Sequence, residues 1–146
     1  MLSGIHPLLN GELLLALDQM GHGNVVVVAD ANFPAHQLGL EVVDLPGLGA
    51  AAVVQAIRTV LPLDTFEGPS VTLMSTADGQ RVAVQDELVA AAAAPEERVE
   101  EVGRFDFYEV AAEAALVVRT GETRSYGNLA LRKGIVTDAP ADLPPA

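Results

Sequence analysis

The stretch Gly-Asn-Val-Val-Val-Val-Ala-Asp at residues 23–30 decides the architecture. A β-branched run with no polar alternation suits a strand covered on both faces, and such a strand belongs to a parallel sheet flanked by helices. The run ends at Asp30, where the chain turns polar. Before it, Leu13, Leu14, Leu15, Leu17 and Met20 predict a mostly apolar helix. Asn10 is placed to cap its start, and Gly21 or Gly23 to end it.

Outward from this core the elements alternate. Strands are expected at residues 40–44 and 71–75, and helices at 48–61, closed by Pro62, and at 86–94. The segment opened by Pro95 carries Glu96, Glu97, Glu100 and Glu101 and reads as a solvated acidic face. Residues 104–114 suit a helix, 115–119 a strand, and 128–132 a last strand beyond a polar turn through Gly121. The alternation predicts a single layered α/β domain with a mainly parallel sheet over residues 1–136, followed by a Pro-rich tail at 137–146. The last two strands are joined by too short a connection for a parallel crossover, so they run antiparallel if they pair.

Composition narrows the function. With 146 residues, half of them hydrophobic, the chain can bury one sizeable core without staples. Eight Lys and Arg against twenty Asp and Glu give 8 − 20 = −12, a balance that argues against nucleic acid or an anionic membrane as partner. A small neutral ligand fits better. The absence of cysteine excludes a disulfide framework, a thiolate nucleophile and a Cys-ligated zinc site. The first twenty residues lack a basic leader and hold Glu12 and Asp18 within their apolar pattern, so no signal peptide is expected. No apolar stretch approaches the roughly 18 residues of a membrane span. A cytoplasmic protein is the expectation.

Polar groups concentrate beside apolar structure in three places: Gly21-His22-Gly23; Asp30 with Phe33-Pro34-Ala35-His36; and Arg104 with Tyr108 and Tyr126-Gly127-Asn128. Ligands of open α/β sheets collect at the carboxyl ends of parallel strands, where Asp30 falls. An antiparallel final strand would begin at that same edge, bringing Tyr126 to Asn128 near Asp30. Arg104 and Tyr108, four residues apart, share one helix face. His22, however, precedes the first strand and so sits at the opposite end. Either its loop folds back over the sheet or it serves the pocket of a neighbouring subunit. Each group also has a plainer reading: His22 as a turn residue, Asp30 as a loop cap, Tyr126 to Asn128 as turn chemistry, and Arg104 with Tyr108 as a surface pair.

The ordered motifs MGHGN at 20–24, DANFPAH at 30–36, RFDFYE at 104–109 and TGETRSYGN at 120–128, followed by LRKG, resemble the fucose mutarotase branch of the ribose pyranase/fucose mutarotase family. The resemblance spans residues 5–136. It implies that His22 is the proton donor and that Asp30, Arg104, Tyr126, Gly127 and Asn128 bind sugar, with His36 and Tyr108 as further pocket candidates. It also implies a three-layer α/β/α fold assembled into a ring-shaped homodecamer with pockets near subunit contacts, a monosaccharide substrate resembling L-fucose, and no metal or organic cofactor. One departure is Asn32, where the familiar motif has histidine; an amide cannot titrate, which removes an acid/base role there.

The implied reaction suits these residues. Anomer exchange removes the proton of the anomeric hydroxyl and protonates the ring oxygen as the ring opens, then reverses after the aldehyde turns. Histidine, with an unperturbed pKa of about 6.5, has both protonation states available near neutrality. Arg104 can donate to several hydroxyls, and Tyr126 and Asn128 can both donate and accept. Three rivals stand beside this reading: ribose pyranase activity, a non-catalytic sugar-binding regulator, and nucleotide binding at Gly47-Leu48-Gly49-Ala50-Ala51-Ala52, which matches GxGxxA ahead of a helix. A metal site built from His22, Asp30 and His36 lacks a recognised ligand spacing.

Overall fold

The computed structural model describes residues 1–138. Helix α1 (Gly11–Asp18) begins where Asn10 accepts a hydrogen bond from the Leu13 N–H at 2.9 Å, so the predicted cap is present. Strand β1 (Val25–Ala29) follows, then a 3₁₀ turn (Ala35–Leu38) and strand β2 (Glu41–Leu45). Helix α2 (Ala50–Arg58) is shorter at both ends than its sequence pattern, and α3 (Ala83–Ala92) starts three residues earlier. Between them lies β3 (Val71–Met74). Strand β4 (Val99–Val102), helix α4 (Arg104–Ala112), and strands β5 (Leu116–Thr120) and β6 (Leu129–Arg132) complete the chain. The expected tail at 137–146 lies outside the described residues apart from Thr137 and Asp138.

The six strands form one sheet in the order β2-β5-β1-β6-β3-β4. Pairings β1–β5, β2–β5 and β3–β4 are parallel, while β6 runs antiparallel to both of its neighbours, β1 and β3. The sheet is therefore mixed, with five strands in one direction and β6 against them. β5 and β6, expected to run antiparallel if they pair, do not pair: β1 lies between them, parallel to β5 and antiparallel to β6.

Burial on β1 explains its unbroken valines. Val26 and Val28 pack into the larger core with residues of α1, α2 and α3, whereas Val27 and Ala29 face Phe33, Phe107 and Ala111 on the other side. All four strand residues from Val26 to Ala29 are fully buried, and each such valine contributes roughly 1.5–3 kcal/mol relative to exposure. Three helices thus cover one face, and α4 with the loop after β1 covers the other, where these two together with Ser125, Tyr126 and Asn128 border the opening at Asp30.

The acidic segment differs from its sequence reading. Its glutamates do lie toward solvent, but residues 99–102 form the edge strand β4, with Glu100 accepting from the Thr72 hydroxyl at 2.9 Å. Arg81 bridges Glu96 at 3.0 Å and Glu101 at 2.9 Å. Charged side chains on an edge strand discourage pairing with another chain and also disguise the strand in the sequence.

Candidate functional site

Asp30 closes β1, and Asn128 immediately precedes β6; because β6 runs against β1, the two meet at one sheet edge. Asn128 Oδ1 accepts from the Asp30 backbone N–H at 2.8 Å, and Asn128 Nδ2 donates to Asp30 Oδ2 at 3.0 Å. Asp30 Oδ1 accepts from the Asn32 backbone N–H at 2.9 Å. Both side chains are buried, and this mutual bonding meets the requirement that buried polar groups find partners.

Over this pair opens a cleft of about 310 Å³, lined among others by Asp30, Arg104, Tyr108, Tyr126 and Asn128. Its volume is at the small end of ligand sites. Arg104 opens α4, and its Nε donates to the Tyr108 hydroxyl at 3.0 Å, so the pair predicted to share a helix face does so within the cleft. Tyr108 leans on Phe33, with ring centroids 5.6 Å apart, giving the polar lining an apolar backing. Tyr126 holds a left-handed φ of +66°, a conformation uncommon for a non-glycine residue and concentrated at functional sites. Gly127 does not line the cleft. A Cβ there would stand 2.7 Å from Glu122 Cγ, so its role is to let the turn close.

Neither histidine candidate reaches this cleft within the same chain. His22 precedes β1, and the five residues of that strand alone, at about 3.3 Å each, set it roughly 16 Å from the Asp30 end. Its Nε2 is 3.1 Å from Asp64 Oδ1, and its ring lies 5.1 Å from that of Phe66. His22 and Phe66 are 43% and 65% exposed, on a separate cleft of about 550 Å³. His36 instead meets Asp44 Oδ2 at 3.0 Å, and Asp44 Oδ1 accepts from Arg119 Nε at 2.6 Å, forming a surface cluster on β2 and β5. His6 Nδ1 accepts from the Leu8 N–H in a local turn.

Two carboxylates escaped the sequence reading. Asp64 is buried, and the Phe66 backbone N–H followed by the His22 ring holds its carboxyl below the ordinary range. Hydrogen-bonded in this way, it fixes which ring nitrogen of His22 points away: Nε2 faces Asp64 and Nδ1 is left for another partner. Glu122, also buried, accepts from Arg124 Nε at 2.9 Å and from the Arg124 backbone N–H at 3.0 Å. It also accepts from the Ala50 backbone N–H, and these donors, Arg124 first, hold its carboxyl down at about 2. The N-terminus of α2 is therefore occupied by the chain's own carboxylate, which removes the phosphate-cradling geometry that the GxGxxA match required.

Among the described residues no group of three or more His, Asp or Glu side chains converges to hold a metal ion, and no helix is long and apolar enough to cross a membrane.

Residues 3–136 match the family described as the RbsD / FucU transport protein family. The chain belongs to that family. Within it, the L-fucose mutarotase of Glaesserella parasuis serovar 5 (strain SH0165) is 41% identical over 140 residues, covering 92% of this chain and 96% of the relative. The fucose mutarotase of Homo sapiens is 41% identical over 145 residues, covering 92% and 94%. In three dimensions the chain resembles the crystal structure of the fucose mutarotase from Streptococcus pneumoniae in complex with L-fucose, with a TM-score of 0.86, 28% identity, and coverage of 93% and 100%. In this RbsD / FucU chain the motifs at 30–36, 104–109 and 120–128 each bring residues to the Asp30 cleft, while MGHGN at 20–24 lies at the other end of β1.

Proposed function

We propose that this chain is an L-fucose mutarotase, a carbohydrate isomerase that interconverts the α and β anomers of a monosaccharide. The observation that carries the reading is the Asp30–Asn128 pair beneath a cleft edged by Arg104 and Tyr126, a small neutral-ligand site rich in both donors and acceptors. The fucose mutarotase relatives supply the substrate class.

Asp30, Arg104, Tyr126 and Asn128 hold the sugar through its hydroxyls. Gly127 contributes by permitting the turn that presents its neighbours. Ring opening then moves one proton off the anomeric hydroxyl and one onto the ring oxygen as the C1 to ring-oxygen bond breaks and the aldehyde forms. Reclosure on the other face reverses both transfers, so the net proton change is zero and neither metal nor organic cofactor is consumed. His22 is the proton donor. Since its own chain's cleft lies a strand length away, the donor for each sugar comes from a neighbouring copy, whose exposed His22 and Phe66 would cover the open side of the cleft. A closed ring of subunits, in the family's decameric form, satisfies this head-to-tail requirement.

Asp64 accepts from His22 Nε2 and thereby aims Nδ1 at the sugar of the adjoining site. The test is magnetisation-transfer NMR on a panel of sugars. Accelerated exchange between the anomers of L-fucose supports the reading. Acceleration confined to D-ribose ring forms would reassign the substrate, and exchange rates equal to buffer for every sugar would refute it.

A further inference from the structure

Glu122 is the most heavily bonded buried acid in the described residues that the proposed chemistry leaves unused. Its backbone N–H donates to Thr120 Oγ1 at 3.2 Å, and Thr120 Oγ1 donates to the Ala29 carbonyl at 2.8 Å. Its carbonyl accepts from the Ala31 N–H at 2.8 Å. Through its main chain, therefore, Glu122 is sewn to residues on both sides of Asp30.

The side chain reaches the other way. Its carboxylate takes the Ala50 N–H at the start of α2 and both the backbone and guanidinium of Arg124, while Arg124 extends to Glu87 on α3 at 2.7 and 2.9 Å. The Cγ of the same side chain is the atom that a Cβ on Gly127 would strike. Between Arg124 and Gly127 stands Tyr126, held at φ +66°. A left-handed tyrosine persists only where its surroundings over-determine it. Here the restraint on its near side is Arg124, joined to the Glu122 carboxylate by three hydrogen bonds, and on its far side Gly127, packed on Glu122.

We infer that Glu122 is a positioning residue for the sugar site: it anchors the 122–127 turn on α2 and so holds Tyr126 in the left-handed conformation that aims it, with Asn128, into the cleft. The inference rests on the proposed sugar-binding function but makes a claim about Tyr126 that can be read without any sugar. With its carboxyl held down at about 2, Glu122 is ionised near neutral pH and the anchor is charge-assisted. Removal of the charge should loosen the turn before it unfolds the domain, since the sheet and the helices keep their own cores.

The experiment uses full-length Glu122→Gln, which preserves shape and one acceptor, and Arg124→Gln, which removes the half-exposed guanidinium while the main-chain N–H of that residue still serves the carboxylate. The protein has two tyrosines, so ¹³C-labelled tyrosine gives one ring signal each for Tyr108 and Tyr126. The expected result is a shifted or broadened Tyr126 signal with the Tyr108 signal unmoved, and L-fucose affinity weakened about fivefold to tenfold in Glu122→Gln. In a Tyr126→Phe background the same substitution should cost much less affinity, because two changes acting through one hydroxyl are not additive. An unmoved Tyr126 signal in a folded Glu122→Gln protein overturns the inference, as do fully additive affinity losses or a fall in thermal stability with unchanged fucose affinity. Should the native protein neither bind nor turn over fucose, the proposed function fails while the tyrosine signal still decides the role of Glu122.

Discussion

Asn128 and Asp30, 98 positions apart in the chain, close a two-bond ring in which the amide oxygen takes the aspartate N–H and the amide nitrogen serves the aspartate carboxylate. The antiparallel strand β6, inserted beside β1, is what allows this meeting. One side chain thereby satisfies a buried backbone donor and orients a buried acid, so under the proposed function stability and sugar recognition would depend on the same contact.

Asn128→Ala leaves the Asp30 N–H without its acceptor in a buried setting, at a cost of about 1–3 kcal/mol. Urea denaturation should show this loss as a lower midpoint with an unchanged slope, and fucose affinity should fall in parallel. Asn128→Asp, which sets a second carboxylate against Asp30, is expected to be worse than alanine for both quantities.

Asp64→Asn separates orientation of the imidazole from possession of it. The variant should lower the anomer exchange rate about tenfold or more while leaving fucose affinity nearly intact, because Asp64 bonds the His22 ring and not the groups that hold the sugar. Removing the imidazole itself, in His22→Ala, should reduce exchange by about 10² to 10⁴ with binding partly retained. Rate and affinity measured on the same NMR samples check both statements.

Gly127→Ala introduces a methyl group at 2.7 Å from Glu122 Cγ and 3.2 Å from the Arg124 carbonyl. Overpacking of this kind costs about 1–3 kcal/mol. A reduced melting temperature together with weaker fucose binding is expected, since the turn that must yield carries Tyr126.

Glu122 also sets a pH dependence. Its carboxyl is depressed from 4.5 to about 2 in the folded chain, chiefly by Arg124. A depressed acid stabilises the fold fully above its unfolded value and loses that contribution as pH falls through the folded one. The native protein should therefore lose stability between about pH 5 and pH 2, and Glu122→Gln should lose less over the same interval. Urea midpoints across that range give the comparison.

Much of this was legible in the residues. The valine run fixed the central strand and its double covering and Asn10 announced α1, whereas the short connection before β6 suggested β5 as its antiparallel partner and the sheet supplies β1 and β3 instead. Asp30, Arg104, Tyr108, Tyr126 and Asn128 assemble at one edge because strand polarity, which sequence can suggest, brings them there. β4 was hidden because an edge strand tolerates the glutamates that mimic a loop. Asp64 and Glu122 carried no local signal at all: Asp64 meets His22 across 42 positions, and Glu122 finds Ala50 and Gly127 only after α2 and the last turn have docked. The position of His36 was misleading for a related reason, since its neighbours in sequence enter the cleft while its ring turns to Asp44 on the sheet edge.

The central claim is that one copy supplies His22 to a sugar held by another copy's Asp30. Co-expression of His22→Ala chains with Asp30→Ala chains, each inactive alone, tests it through the fucose anomer exchange rate of the mixed assembly. Random mixing in equal amounts leaves about one site in four with both native groups, so roughly a quarter of native activity should return. Exchange no faster than that of the two variants measured separately would contradict a site shared between subunits.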